Sequence, residues 1–416
     1  MILEDVVHHS CELARYRLPP LGAELDGFCD WLDEQGYSYS SIQGFAAKVS
    51  QFNLFLRRRG ITVADRIKEE HTERFSARRR RTQSRDWLDV TRCALRLLIR
   101  YLTDRGVLKP RPIVPAPDEE LLDRYAQYLG SDRGLAASTI RSYRFYLTPF
   151  IQALDQKDLP GAITDLSPQD VQSFFCRCAQ GKATRTRGHI RLGLRHFFAF
   201  CAREGYGGGH LVEAIPHIYS YRLAEVPRQI PEQDAHRLLQ SIDRSTKLGR
   251  RDYAMVLLLY TYGVRGGQVR ALRLKDIQWR QSRIRFPACK GGRQVIEPII
   301  AEVGDALLDY LRHGRPHAAW PEVFLTARAP IHPISAAHLY ARVCSRLRGL
   351  GLGQGARGPH GFRHAFASRL LGNGHSIKTI ADMLGHRDIN STFIYTKVDF
   401  RTLAEVPLDW PEVNCE

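Results

Sequence analysis

The N-terminal half of this chain contains an internal repeat, and a repeat limits the possible folds more strongly than composition does. Matching residues are spaced 98 positions apart in the first part of the repeat and 99 in the second. The matching pairs are Gly36 and Gly134, Ile42 and Ile140, Phe52 and Phe150, Leu56 and Leu154, Phe75 and Phe174, Arg92 and Arg191, Leu95 and Leu194, and Gly106 and Gly205. The repeat predicts two copies of one small domain, over residues 18–110 and 117–207.

Each copy has the apolar periodicity of amphipathic helices. The residues that recur at three- and four-residue steps are Ile42, Phe45, Val49, Phe52 and Leu56 in the first copy, and Leu194, Phe197, Phe198 and Cys201 in the second. Ser40 or Ser41, and Ser138, occupy positions typical of helix N-caps. Both copies are therefore predicted to be helical.

Two breaks separate the copies from each other and from the remaining chain. A proline-rich stretch at 109–117 predicts a semi-rigid linker, and a glycine run at 207–209 opens a second break that ends near Arg228. The last large domain is predicted at 228–400, mostly helical with a small antiparallel hairpin. The hairpin strands are 283–286 and 295–299, joined by a Gly-Gly turn. The tail at 401–416 is an apolar segment suited to docking.

The charge of the chain indicates a polyanionic partner. The formal net charge is +17 and the sequence pI is about 9.7, which favours nucleic acid. The first sixteen residues lack the apolar run of a signal peptide, and the longest apolar stretch, 253–264, is too short to span a bilayer. The sequence therefore predicts a cytoplasmic, nucleoid-associated bacterial protein without a membrane segment.

Four local patterns follow one another in the C-terminal domain. In the first, an apolar helix runs into Gly263, and Arg265 follows at the bend. In the second, Lys290 leads the Gly-Gly turn of the hairpin. Either residue alone would usually be a surface charge.

The third pattern is His360-Gly361-Phe362-Arg363, an H-x-x-R segment. A spacing of three residues places His360 and Arg363 on one face of a helix, about one turn apart. The fourth is Leu384-Gly385-His386, followed after eight residues by Tyr395. Gly385 is predicted to end the preceding helix in a left-handed cap, which would turn His386 away from the helix axis.

These patterns, in this order and spacing, resemble those of the tyrosine recombinase (phage integrase) family. The resemblance implies SAM-like helical domains at 18–110 and 117–207, and a mixed α+β catalytic domain. Most members carry Glu or Asp where this chain has Gln268, which puts the usual supporting carboxylate in doubt but leaves Arg265 in place.

The resemblance also assigns a role to each patterned residue. Arg265 and Arg363 would bind the non-bridging oxygens of a DNA phosphate, and His386 would donate a hydrogen bond there. His360 would accept or orient the proton of Tyr395. The residues predicted to form the catalytic site are Arg265, Lys290, His360, Arg363, His386 and Tyr395.

The implied reaction is cleavage and rejoining of DNA strands through a 3′-phosphotyrosyl bond, with Tyr395 as nucleophile and Lys290 as the acid for the departing 5′ oxygen. The bond conserves the energy of the phosphodiester, so no ATP is expected. No acidic cluster accompanies the patterns, and no metal or other cofactor is predicted.

The predicted partner is double-stranded DNA, held between the second copy and the catalytic domain. A homotetramer on two DNA sites is expected, with related recombinase subunits as further partners. The first copy is predicted to lengthen the DNA contact, helped by the basic run 78–81. Two alternatives remain: a type IB topoisomerase that relaxes supercoils, and a catalytically silent architectural subunit.

Overall fold

The computed structural model describes residues 2–7, 10–79, 84–109, 116–219, 228–289, 292–352 and 358–398. The chain divides into two compact units, Met1–Pro110 with Glu225–Glu416, and Arg111–Ala224. The proposed tail at 401–416, Lys290 and the side chains of the basic run 78–81 lie outside the described residues.

The first copy is helical, as predicted. Its helices follow two short N-terminal helices. The two short helices are α1 (Ile2–Val6) and α2 (Ser10–Tyr16). The helices of the copy are α3 (Gly22–Glu34), α4 (Tyr39–Arg57), α5 (Glu69–Arg79) and α6 (Arg85–Asp104). The apolar periodicity at Ile42, Val49 and Phe52 produces a face that is fully buried in a core of its own.

The second copy forms the unit 111–224 and has a separate buried core. Its helices are α7 (Pro117–Ser131), α8 (Ala137–Gln152), α9 (Leu159–Thr164), α10 (Pro168–Ala179), α11 (Thr184–Arg203) and α12 (Leu211–Ala214). Helices α8, α10 and α11 begin 98, 99 and 99 residues after α4, α5 and α6. The slip in the sequence repeat therefore lies between the first and second of these matched helices.

The predicted N-caps were wrong in both copies. Helix α4 begins at Tyr39, and its N-cap is Ser38, whose side chain accepts a hydrogen bond from the Ser41 amide. Helix α8 begins after Ala136, which has no capping side chain. The serines at 40, 41 and 138 fall inside the first turn because the helices start earlier than the polar residues suggest.

A groove runs between the last two long helices of each copy. In the second copy α12 packs against α10 and α11, and Arg191 donates a hydrogen bond to the Pro216 carbonyl just beyond it (3.2 Å). In the first copy the matching Arg92 lines an open groove between α5 and α6. The repeat thus preserves the helices, while the positions that match α12, 112–115, lie outside the described residues.

The C-terminal region is mostly helical with one small sheet. Its helices are α13 (Glu232–Gln240), α14 (Lys247–Tyr262), α15 (Gly266–Ala271), α16 (Ala301–His313), α17 (Ala336–Gly349), α18 (Pro359–Gly372) and α19 (Ile377–Met383). The strands are β1 (Ile277–Gln278), β2 (Arg283–Phe286) and β3 (Val295–Pro298), antiparallel in the order β1-β2-β3. Short 3-10 helices in this region are Leu274–Asp276, Trp279–Gln281, Ile389–Ser391 and Phe393–Val398, and the first copy contains one more, Ala64–Arg66.

The predicted hairpin is confirmed, with Ile284 opposite Glu297 and Phe286 opposite Val295. The strand β1 was not predicted. Helix α14 runs through the middle of the largest core and packs against both α16 and α18. This central helix delivers the chain to the candidate active site.

Candidate active site

The Arg265 segment begins where helix α14 stops. The helix ends at Gly263 in the left-handed conformation (φ 58°). A Cβ atom at this position would lie 2.5 Å from Phe366 on α18. Only glycine therefore allows the helix to end against α18 and turn the chain toward Arg265.

Gln268 supports the same turn from inside the protein. Its side chain is fully buried; Oε1 accepts a hydrogen bond from the Arg265 amide (3.0 Å) and Nε2 donates one to the Pro287 carbonyl (3.2 Å). An ionised carboxylate could accept the first bond but could not donate the second. The amide thus ties the arginine-bearing turn to the end of β2, where the family pattern has an acid.

Arg363 is almost completely buried, at 3% exposure, and joins two helix ends. Its guanidinium donates to the Gly263 carbonyl (3.0 Å) and to the Leu384 carbonyl (2.6 Å). Burial, together with the nearby charge of Arg265, lowers the pKa of Arg363 to about 10. Keeping the Arg363 guanidinium charged in this buried position therefore costs electrostatic free energy.

Arg265 brings a second guanidinium to the same place. Its Nη1 atom is buried and has no hydrogen-bond acceptor among the described residues, and it lies close to Gly292 of the hairpin turn. Within the described ranges no carboxylate forms an ion pair with Arg265 or Arg363. One buried and one half-buried guanidinium without a described counter-charge favour an external anion between them.

His386 is placed by the glycine before it. Gly385 is left-handed (φ 63°), as predicted, and its carbonyl accepts a hydrogen bond from the Arg293 amide after the hairpin turn (3.1 Å). His386 Nδ1 lies 2.7 Å from Thr392 Oγ1. Burial, and then the charges of the two arginines, lower the pKa of His386 to about 4, so the ring is neutral near pH 7.

Tyr395 lies in the last 3-10 helix and is 2% exposed. It packs in a small cluster with Phe366, Ala367, Ile380 and Leu384. Its hydroxyl is 3.2 Å from Nδ1 of His364. Burial raises the pKa of Tyr395, while Arg363 and Arg265 act in the opposite direction.

Four of the six predicted site residues are thus brought together: Arg265, Arg363, His386 and Tyr395. His360 is exposed on α18, with its ring stacked 6.1 Å from that of His364. Lys290 lies outside the described residues, although the neighbouring Gly292 reaches Arg265.

Sequence reasoning missed His364 and Thr392. His364 stands four residues after His360, a spacing that places both on one helical face, so the signal was present. Thr392 carried no pattern of its own. Each forms a hydrogen bond to a predicted site residue, and each therefore belongs to the site.

The site offers cationic and imidazole groups in place of a metal cradle. In the part of the chain that the structure describes, no three His, Cys, Asp or Glu side chains are grouped to hold a metal ion. A search of the same residues finds no helix with the length and apolarity needed to cross a membrane.

Comparison with known families agrees with this architecture. Residues 228–402 match the phage integrase family, and residues 122–205 match the phage integrase N-terminal SAM-like domain. The chain is 33% identical to the putative integrase/recombinase y4rA of Sinorhizobium fredii, over 94% of this chain and 95% of the relative. It is 30% identical to tyrosine recombinase XerD of Ralstonia nicotianae, over 68% of this chain and 92% of the relative.

Solved structures show the same fold. A XerH site-specific recombinase bound to palindromic difH substrate has a TM-score of 0.54 at 18% identity, covering 80% of this chain and 93% of that one. A lambda integrase dimer bound to a COC′ core site has a TM-score of 0.52 at 18% identity, covering 71% and 99%. The fold and the sequence relatives together define a DNA strand-transfer enzyme. The chain belongs to the phage integrase family of tyrosine recombinases.

Proposed function

We propose that this protein is a site-specific DNA recombinase, or integrase, that cleaves and rejoins strands through a 3′-phosphotyrosyl intermediate without metal or ATP. One observation carries the proposal. The buried guanidinium of Arg363 and the half-buried side chain of Arg265 have no carboxylate partner among the described residues, and the charges of both act on the hydroxyl of the buried Tyr395. A phosphodiester supplies the anion that this arrangement lacks.

The two arginines would bind the non-bridging oxygens of the scissile phosphate. As the phenol oxygen attacks, negative charge grows on those oxygens, and preorganised donors stabilise it more than water does. His386 would donate to the same group through Nε2, because Nδ1 faces Thr392. These fixed positive groups perform the charge stabilisation that a divalent metal performs in other phosphoryl-transfer sites.

The remaining predicted roles concern protons. Lys290 would protonate the departing 5′ oxygen. It is placed in sequence between Cys289 and the Gly-Gly turn, and Gly292 of that turn contacts the Arg265 guanidinium. His360 was predicted to accept or orient the tyrosyl proton, but it is exposed at the start of α18, and the Tyr395 hydroxyl is paired with His364 instead.

The partner is proposed to be double-stranded DNA, and the assembly a homotetramer on two DNA sites. Lambda integrase, which shares the fold at a TM-score of 0.51, has been solved as a tetramer bound to a Holliday junction. Related recombinase subunits are further proposed partners. A location in the bacterial cytoplasm at the nucleoid agrees with this substrate.

The first copy is proposed to extend the DNA contact. Helix α4 ends at Arg57, and Arg58 follows it; both are exposed and without an ion-pair partner among the described residues. The second copy has Asp155 and Gln156 at the matching positions. Substituting Arg57→Glu and Arg58→Glu is expected to shorten the DNase footprint and to flatten the salt dependence of binding. An unchanged footprint would reject this contact.

The main test is covalent capture on a nicked suicide DNA substrate. Wild-type protein is expected to form a protease-sensitive, DNA-linked species in EDTA, and Tyr395→Phe none. A covalent species with Tyr395→Phe would contradict the assignment of the nucleophile. Supercoil relaxation without recombinant product would indicate a topoisomerase, and DNA binding without any covalent species would indicate an architectural subunit.

A further inference from the structure

His364 is the polar residue in hydrogen-bond contact with Tyr395, the proposed nucleophile. It follows Arg363 on helix α18 and is half-buried. Its Nδ1 atom lies 3.2 Å from the Tyr395 hydroxyl, and the two rings are 5.6 Å apart at 57°. Among the described residues, this imidazole is the hydrogen-bond partner of that hydroxyl. The contact joins α18 to the 3-10 helix that carries Tyr395.

The protonation state of His364 suits an acceptor. Burial, with the charges of His360 and Arg363 close by, lowers the pKa of His364 to about 4. The ring is therefore neutral near pH 7. For Nδ1 to accept from the phenol, the ring proton must be on Nε2.

We propose that His364 positions Tyr395 and receives its phenolic proton during strand cleavage, a step that rests on the proposed recombinase function. The phenol oxygen forms a bond to phosphorus as the bond from phosphorus to the 5′ oxygen breaks. The phenolic proton passes to Nδ1 of His364, and the 5′ oxygen takes a proton from Lys290. Rejoining reverses both transfers, so His364 returns the proton to the tyrosine as it leaves.

Binding of DNA strengthens this base at the right moment. In the free protein the imidazolium form faces positive or titratable groups from the elements around it: His360 and Arg363 on α18, and His386 beyond α19. A phosphate bound to Arg363 and Arg265 introduces negative charge next to the ring. This charge offsets the effect of the nearby positive groups on the pKa of His364. The proton affinity of His364 therefore rises when the substrate arrives, and the tyrosine stays protonated until then.

The experiment compares single-turnover rates of covalent-complex formation between pH 5.5 and 9.5, at saturating suicide DNA. The variant His364→Asn keeps a hydrogen-bond acceptor near the phenol and removes the base. We expect its rate to fall by about 10² to 10³ near pH 7, within the range of general base catalysis, while DNA affinity is retained. We also expect the rate to rise about tenfold per pH unit, because the phenolate must then form unaided.

A second variant separates the base from a packing role. His364→Ala leaves space for added imidazole, and rescue by a series of methylated imidazoles should increase with the pKa of the added base. If His364 only fills space, every methylated imidazole in the series should restore the rate equally. The matched control is His375→Asn, since His375 is exposed at the turn before α19 and should leave the rate unchanged.

Two outcomes overturn different claims. A wild-type rate and a wild-type pH profile in His364→Asn, or rescue of His364→Ala that is independent of base strength, would refute the role of His364. DNA binding by the wild-type protein without any covalent complex would instead refute the proposed function itself.

Discussion

The catalytic region buries arginine at two places, and the two places are neutralised differently. In the first, Asp252 (2% exposed) binds Arg251 (1% exposed) at 2.9 Å, Arg342 at 2.7 Å and Arg346 at 3.2 Å. Arg251 also donates to the Leu325 carbonyl (3.0 Å). Burial alone would raise the pKa of Asp252, but the hydrogen bond from Arg342 and the charge of Arg251 outweigh it and hold the pKa below its ordinary value.

At the second place the Arg363 guanidinium meets two backbone carbonyls, and Arg265 Nη1 has no acceptor among the described residues. Neither side chain pairs with a described carboxylate. Both regions lie in the same folded body and use the same side chain. The difference agrees with the proposed function, in which the arginines paired with a carboxylate stabilise the fold and the unpaired ones bind an anion from outside. Four experiments test this distinction.

The largest effect is expected from Asp252→Ala. Removing the carboxylate leaves three arginines without a counter-charge in a buried region, which should lower the free energy of unfolding by about 3 to 5 kcal/mol. Urea denaturation measures the change. Asp309→Ala is the matched control, because Asp309 also pairs with three side chains, Arg250, Arg244 and His313, but is 24% exposed against 2% for Asp252. Its loss should cost less than that of Asp252, because water can solvate the groups left behind. Equal losses in the two variants would contradict the comparison.

Arg363→Met should separate activity from stability. We expect covalent-complex formation to fall by about 10² to 10³, the range seen when one preorganised charge-stabilising donor is lost. The free energy of unfolding should change less than in Asp252→Ala, because removing an uncompensated charge offsets the loss of two hydrogen bonds to carbonyls. Single-turnover cleavage and urea denaturation give the two values. Normal cleavage by Arg363→Met would remove the anion site from the mechanism.

Sulfate should bind to the second place and not to the first. At a sulfate concentration ten times its Kd, linkage predicts a stabilisation of about 1.4 kcal/mol. Thermal unfolding in sulfate, against chloride at equal ionic strength, measures it. The increment should vanish in Arg363→Met and persist in Arg346→Ala, whose guanidinium belongs to the paired cluster. Persistence in both variants would show that sulfate acts elsewhere.

The fourth experiment concerns pH. The pKa values of His364 and His386 are lowered to about 4 in the folded chain, from an ordinary value of 6.5. Between these values the unfolded chain binds protons that the folded chain does not, so stability should fall as the pH drops from 6.5 to 4. Urea midpoints across this range measure the slope, which His386→Asn should reduce. A variant slope as steep as that of the wild type would exclude His386 as its source.

Much of the fold could be predicted from sequence because the repeat and the apolar periodicity report directly on helices. The starts of α8, α10 and α11 reproduce the spacing of the matching residues. Helix caps were predicted less well, because several serines compete near the start of α4 and tertiary packing selects Ser38. The groove beside Arg92 could not be predicted, because it depends on how α5 and α6 pack against each other rather than on either helix alone.

The candidate site, like the fold, could be predicted where local sequence patterns determine the geometry. The glycines at 263 and 385 and the spacing from His386 to Tyr395 carried local geometry, and the structure reproduces it. The contact between His364 and Tyr395 joins residues 31 positions apart, and only tertiary structure brings them together. The double hydrogen bond of Gln268 likewise depends on Pro287, which no local pattern connects to it.

The anchoring of Arg363 to the carbonyls of Gly263 and Leu384 has an entropic consequence. A free arginine side chain loses about 1.5 to 2 kcal/mol of rotamer entropy when it is fixed. Here that ordering happens during folding, since two of the guanidinium N–H groups are already engaged. A DNA phosphate would therefore bind to a guanidinium that is already fixed. Less of the binding free energy is then lost in ordering the side chain, and more is available to discriminate between phosphate positions along the duplex.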